Sequence, residues 1–211
     1  AIGNHNEALV NYENALTLDD EYAPAYMHRG ASFIHLREYD SAIAPLEAAV
    51  DLDRRYTEAF INLGVAYYHL GTLPAALDQL NRVLDLDDES SEAYYNRSYV
   101  YAALGRPRDA LADINRVLAQ QPNSVEAYMA RGTLYKAQGN NAAAIADFNR
   151  VIELDINSGP AYQQRAQARL ANDNVSDALD DYNNAVGLLP TDEGLYKGRA
   201  DAYAIYGDLP A

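Results

Sequence analysis

Tyrosine is the residue in this sequence whose placement raises the first chemical question. The stretch Ala93–Gly105, AYYNRSYVYAALG, holds four of them within eight residues: Tyr94, Tyr95, Tyr99 and Tyr101. A tyrosine ring offers a large apolar surface, but its hydroxyl needs a partner, so it suits a core or a binding surface. On a helix that advances about 100° per residue, Tyr94, Ser98 and Tyr101 share one face. Tyr95 and Tyr99, with Ala102, fall about 100° away, and Glu92 borders them. Such a face points to recognition: rings edged by carboxylates suit a peptide with apolar anchors and some Lys or Arg.

Other residues with chemical potential read as scaffold. Arginine recurs at Arg29, Arg97, Arg131, Arg165 and Arg199, and an acid stands sixteen residues after three of them, at Asp113, Asp147 and Asp181. A charge-assisted bond between two helices accounts for that spacing. Arg29 faces Pro45 instead, and where Leu63 replaces the arginine its partner position is Gln79. His28, His35 and His69 lack the carboxylate–histidine spacing of a metal site and read as solvated or groove-lining. Asn96 and Asn174 fit a glycosylation sequon, Asn96 in the middle of a predicted helix. The sequence has no phosphate loop, no nucleophile elbow and no acid pair at a loop mouth. It reads as a non-enzyme that requires no cofactor.

The 211 residues carry 31 acids against 16 bases, a formal charge of −15. That surface repels phosphate backbones and anionic lipid heads, which excludes nucleic acid and membrane as default partners. No apolar run reaches transmembrane length. Cysteine is absent, so neither a cytoplasmic nor an exported location is fixed. Repeated Asp and Glu at helix ends read as solubilising.

What positions these residues is a period. Ala-aromatic pairs at Ala25-Tyr26, Ala59-Phe60, Ala93-Tyr94, Ala127-Tyr128 and Ala161-Tyr162 precede small residues at 30, 64, 98, 132 and 166, each step being 34. Ala8, Ala42, Ala76, Ala110, Ala144 and Ala178 keep the same step. So do the bulky Tyr12, Leu46, Leu80, Ile114, Phe148 and Tyr182. Each unit reads as two helices. In the third, the first helix stops at Gly105, a left-handed cap candidate like Gly71 and Gly139. Asp109-Ala110 opens the second helix, and Pro122 blocks its continuation. Tyr94 and Tyr101 are expected in the core.

The pattern resembles the tetratricopeptide repeat family over essentially the whole chain. From Ala23 the first repeat shows Tyr26, Gly30, Phe33, Ala42, Leu46 and Ala49 at that family's signature positions. The resemblance implies an all-α, right-handed superhelical solenoid of antiparallel helix pairs. Full repeats are expected at 23–56, 57–90, 91–124, 125–158 and 159–192. Residues 1–22 read as the tail of one repeat, mostly its second helix, and 193–211 as the first helix of another. Neither end supplies a polar cap, so a piece of a longer array is expected. Arg169 replaces an aromatic signature residue, which predicts a looser last full repeat.

In the family, the second, fifth, ninth, twelfth and thirteenth positions line a concave groove that binds peptides. Carried onto this sequence, they give a groove of Met27, Glu58, Ile61, Val65, Tyr68, Glu92, Tyr95, Tyr99, Met129 and Thr133, with Glu126 beside it. The resemblance therefore implies a protein-interaction scaffold holding a peptide or helix of a partner, with the acids selecting against acidic ligands. Some family members hold chaperone tails through a two-carboxylate clamp. Here Asn62 and Asn96 match one element of it, while the second positions carry Pro24, Glu58, Glu92, Glu126 and Pro160 in place of cations. That subtype is not expected. Two further readings stand: a docking or targeting array of a larger enzyme, and self-association through the terminal helices.

Overall fold

The computed structural model describes residues 4–207. The sequence expectations for residues 1–3 and 208–211 lie outside it. The described residues form twelve α-helices and no strand. They are α1 (His5–Leu18), α2 (Ala23–His35), α3 (Tyr39–Leu52), α4 (Thr57–His69), α5 (Leu73–Leu86) and α6 (Ser91–Ala103). Then come α7 (Pro107–Gln120), α8 (Val125–Ala137), α9 (Asn141–Leu154), α10 (Gly159–Leu170), α11 (Val175–Leu188) and α12 (Glu193–Gly207). Connections of three or four residues force neighbouring helices to run antiparallel. This is the all-α, helix-pair solenoid class. Within α7 the chain divides into two compact units, the first reaching Arg116 and the second beginning at Val117.

The periodic small residues explain the packing. A Cβ added to Gly64 would lie 2.9 Å from Leu80 Cγ, and one added to Gly132 would lie 2.6 Å from Phe148 Cε1. The first helix of a pair thus approaches the second too closely for a side chain, and the bulky residue sixteen places later fills the groove above the glycine. In the first unit Ala42, Leu46, Ala49 and Met27 are fully buried together. Phe60, Ile61, Val83 and Ala93 form a second cluster. In the second unit Ala144, Phe148 and Ala168 pack together, and Tyr162, Ala166 and Tyr182 join Leu195 and Ala202. Each buried Leu or Phe contributes about 1.5–3 kcal/mol.

The turns have two devices. First helices end on a left-handed residue: Gly71, Gly105 and Gly139 have φ of 76°, 68° and 74°. At the same phase of the repeat, Arg37 (φ 61°) and Asp173 (φ 58°) adopt it without being glycine. Second helices end on an aspartate that folds back. Asp53, Asp87 and Asp155 each accept the backbone N–H two residues on, at 2.9, 3.1 and 3.0 Å. These acids are turn formers and not merely solubilising groups.

Three further expectations are corrected. α7 opens at Pro107, not Asp109, because the fixed φ of proline suits a first helical position. Tyr101 is half-buried, its ring flanked by Arg97 and Arg106, whose guanidinium carbons stand 5.4 and 4.4 Å from the ring centre. Arg169 does not loosen its repeat: its Nη1 donates to Asp181 Oδ2 at 2.7 Å and to the Asp177 carbonyl at 3.1 Å.

Candidate peptide-binding surface

Tyr94 and Tyr95 are adjacent yet do different work. Tyr94 is buried, and its hydroxyl donates to the Asp88 carbonyl at 3.0 Å, tying the preceding turn to α6. Tyr128 and Tyr196 do the same to the Pro122 and Pro190 carbonyls. Tyr95 turns the other way. Its hydroxyl and that of Tyr99, one turn on, are 2.9 Å apart, with ring centres 5.1 Å apart at 66°. Tyr68 of α4 meets Tyr99 edge-on at 6.4 Å. Tyr99 is 39% exposed, a large ring area to leave in water on a helix whose opposite face is core.

Between α4 and α6 the rings of Tyr68 and Tyr99 border a cavity of about 340 Å³, lined also by Val65, Leu80, Asn96 and Val100. Leu80 and Val100 form its apolar floor, with Gly64 beside Leu80 in its lining. His69 stands at its edge, stacked on Tyr39 with ring centres 4.1 Å apart and meeting Tyr68 edge-on. His35 and His28 likewise stack, on His5 and Tyr12, so the histidines act as ring contacts between neighbouring helices. Glu58 and Glu92 lie in the first turns of α4 and α6, both exposed. Tyr67 points away, toward α3, and donates to Glu47 Oε1 at 2.8 Å; burial and that carboxylate push its hydroxyl up to about 12.

Two expected groove residues are not on this surface. Met27 is fully buried beside Leu46, with Asn62 Nδ2 3.6 Å from its sulfur, and Ile61 is 6% exposed in the core with Phe60 and Val83. At the fifth position Met27 and Ile61 turn inward to the core. Tyr95, with a hydroxyl to satisfy, reaches outward. In the second unit Met129 is half-buried against Phe148, and Thr133 is exposed with its Oγ1 donating to the Met129 carbonyl at 2.8 Å. Glu126 is exposed there too.

The floor residues Leu80 and Val100 were missed because sequence phase assigns them to the core, which they also serve. A second miss is the asparagine before each arginine. Arg97 Nη1 donates to Asn81 Oδ1 at 2.8 Å, Arg165 Nη1 to Asn149 Oδ1 at 2.7 Å, and Arg199 Nη1 to Asn183 Oδ1 at 3.1 Å. The signal was present: LNRV, INRV, FNRV and YNNA repeat the asparagine at 34-residue steps, sixteen residues upstream of the arginine.

Helix pairs of this length, with a small residue seated on a bulky one every 34 residues, define a class of interaction repeat. The sequence profile described as "Tetratricopeptide repeat" matches residues 1–57, 36–91 and 95–159, and the chain belongs to that family. No curated protein sequence matches it. Among solved structures it is similar to a thermophilic TPR protein of Thermus thermophilus, at 21% identity and a TM-score of 0.70, covering 86% of this chain and 99% of that one. It is also similar to YrrB, a TPR protein with an unusual peptide-binding site, at 23% identity and a TM-score of 0.66, covering 87% and 94%. A third is PilW, a type IV pilus biogenesis factor, at 19% identity and a TM-score of 0.77, covering 87% and 90%. The fold is that of a protein–protein interaction scaffold. Among the described residues no helix is long and apolar enough to cross a membrane.

Proposed function

We propose that the first unit binds a peptide segment of a partner protein without catalysing a reaction on it. One large apolar side chain enters the cavity between α4 and α6, and Glu58 and Glu92 favour Lys or Arg beside it. The observation that carries this reading is the 340 Å³ apolar cavity bordered by Tyr68 and the exposed Tyr99. Its volume suits one aromatic or branched side chain with a neighbour, the usual anchor of a peptide in a groove. YrrB, which shares the fold, has a peptide-binding site in its own right.

The test is a displayed random-peptide library selected on the whole chain. Selected peptides should share one apolar anchor flanked by basic residues. They should bind the Tyr68→Ala, Tyr95→Ala, Tyr99→Ala variant at least about a hundredfold more weakly, since interface anchors of this kind cost about 2 kcal/mol or more on truncation. Helicity should be unchanged. Equal binding by the triple variant refutes the reading.

Self-association is a second reading, favoured by the apolar side chains exposed on the terminal helices. On α12, Tyr203 and Tyr206 are 53% and 51% exposed; on α1, Val10 is 58% exposed. Light scattering over a concentration series separates it from a monomeric receptor.

A further inference from the structure

Lys136 stands alone in an acidic protein. It lies in the last turn of α8, half-buried, and its ammonium donates to Gln167 Oε1 at 2.6 Å and to Gln164 Oε1, both on α10. Among the described residues no carboxylate pairs with it. The α8 helix carries one acid, Glu126, ten residues away in its first turn, and α10 carries none. The acids of the neighbouring α9 that could approach are engaged: Asp147 by Arg131 and Glu153 by Arg150. Arg165 and Arg169 on α10 are both held by Asp181. Burial pushes the Lys136 ammonium below its usual range, and no anion offsets it.

The ammonium also fixes the two amides. It can only donate, so both glutamines must turn their oxygens toward it and their NH₂ groups away. Neither NH₂ group makes a hydrogen bond among the described residues. The result is a cluster whose acceptors are used and whose remaining groups are all donors: the amide hydrogens and one hydrogen of a cation held by neutral oxygens. A carboxylate supplies what such a cluster lacks, an anion with several lone pairs.

We propose that Lys136, Gln164 and Gln167 form a carboxylate-binding site in the second unit, taking a peptide C-terminus or the side chain of Asp or Glu. It differs from the family's two-carboxylate clamp: its one cation is at the twelfth position, which that clamp does not use. The selection against acidic ligands proposed for Glu58 and Glu92 concerns the first unit and does not bear on it.

Lys136 and Lys197 are the only lysines of the chain, so lysine labelled at Cε gives two resolvable signals. Three probes are titrated into the whole protein: acetylated penta-alanine with a free C-terminus, the same peptide amidated, and an amidated version with one central glutamate. A carboxylate probe should shift the Lys136 signal saturably and raise its pKa by about one unit, as an anion within about 4–6 Å does. Lys197 and the amidated blank serve as controls that should not respond. A response to the free acid alone identifies a terminal carboxylate as the ligand; a response to the glutamate peptide admits a side chain. The Gln164→Leu, Gln167→Leu variant should bind at least about tenfold more weakly with its helicity retained, as loss of two hydrogen bonds to an anion requires. The proposal is overturned if no carboxylate probe moves Lys136 more than the blank does, or if the double variant binds equally well.

Discussion

Arg97 and Asp113 are joined by two parallel hydrogen bonds of 2.8 Å, Nε to Oδ2 and Nη2 to Oδ1. The third arm of the same guanidinium holds Asn81, so one side chain fastens α5, α6 and α7. Arg165 does the same for α9, α10 and α11 through Asn149 and Asp181. Each arginine also lies over the tyrosine three residues before it, at 5.4 Å for Tyr94 and 5.3 Å for Tyr162.

Asp113→Ala should therefore cost about 3 kcal/mol in urea unfolding, because it leaves Arg97 partly buried without its anion. Affinity of the folded protein for a selected peptide should stay within about twofold, the residue lying on the far side of α6 from Tyr99. A loss below about 0.5 kcal/mol, typical of an exposed pair, would remove the structural role.

Gly132→Ala should cost about 1–3 kcal/mol by overpacking, since the Phe148 ring 2.6 Å from the new Cβ is fully buried. Adding Phe148→Leu should recover much of that loss. A double variant no more stable than Gly132→Ala would show that the ring is not what the glycine makes room for.

Arg37→Gly and Asp173→Gly should each stabilise the chain by roughly 0.5–1 kcal/mol, relieving left-handed φ values of 61° and 58°. Gly105→Ala, at φ 68°, should cost about 1 kcal/mol. Thermal melts decide, and a stabilising Gly105→Ala would contradict the backbone account.

Tyr67 gives a pH signature. Its folded pKa is raised from 10.0 to about 12 by burial and by the Glu47 carboxylate, so folding favours the neutral phenol. The stabilisation is complete below about pH 10 and is lost as pH rises through about 12. Urea midpoints should fall more steeply between about pH 10 and 12 in the native chain than in Tyr67→Phe. Parallel slopes would exclude this tyrosine as the cause.

Much of the scaffold is legible in the sequence because each repeat must solve the same packing problem. Gly64 and Leu80 meet in space because a small residue is needed where a bulky one crosses, and the 34-residue step exposes that need. The direction of Tyr95 and Tyr99 follows from helical phase alone. Phase fails at Met27 and Ile61, since the fifth position sits at the border of the core and local packing decides which way its side chain turns. It fails again at Lys136, whose partners belong to another helix. Arg37 and Asp173 carry no sequence mark of their backbone conformation beyond sharing a phase with three glycines.

The shared guanidinium has a consequence for how such an array comes apart. In repeat proteins the stability of one unit and the coupling between neighbours are ordinarily separate quantities. Here the arginine that closes a helix pair internally is also the one that grips the preceding helix. Melting one pair strips its neighbour of a bonded partner at the same moment, so fraying is opposed along the stack and cooperativity extends beyond a single repeat.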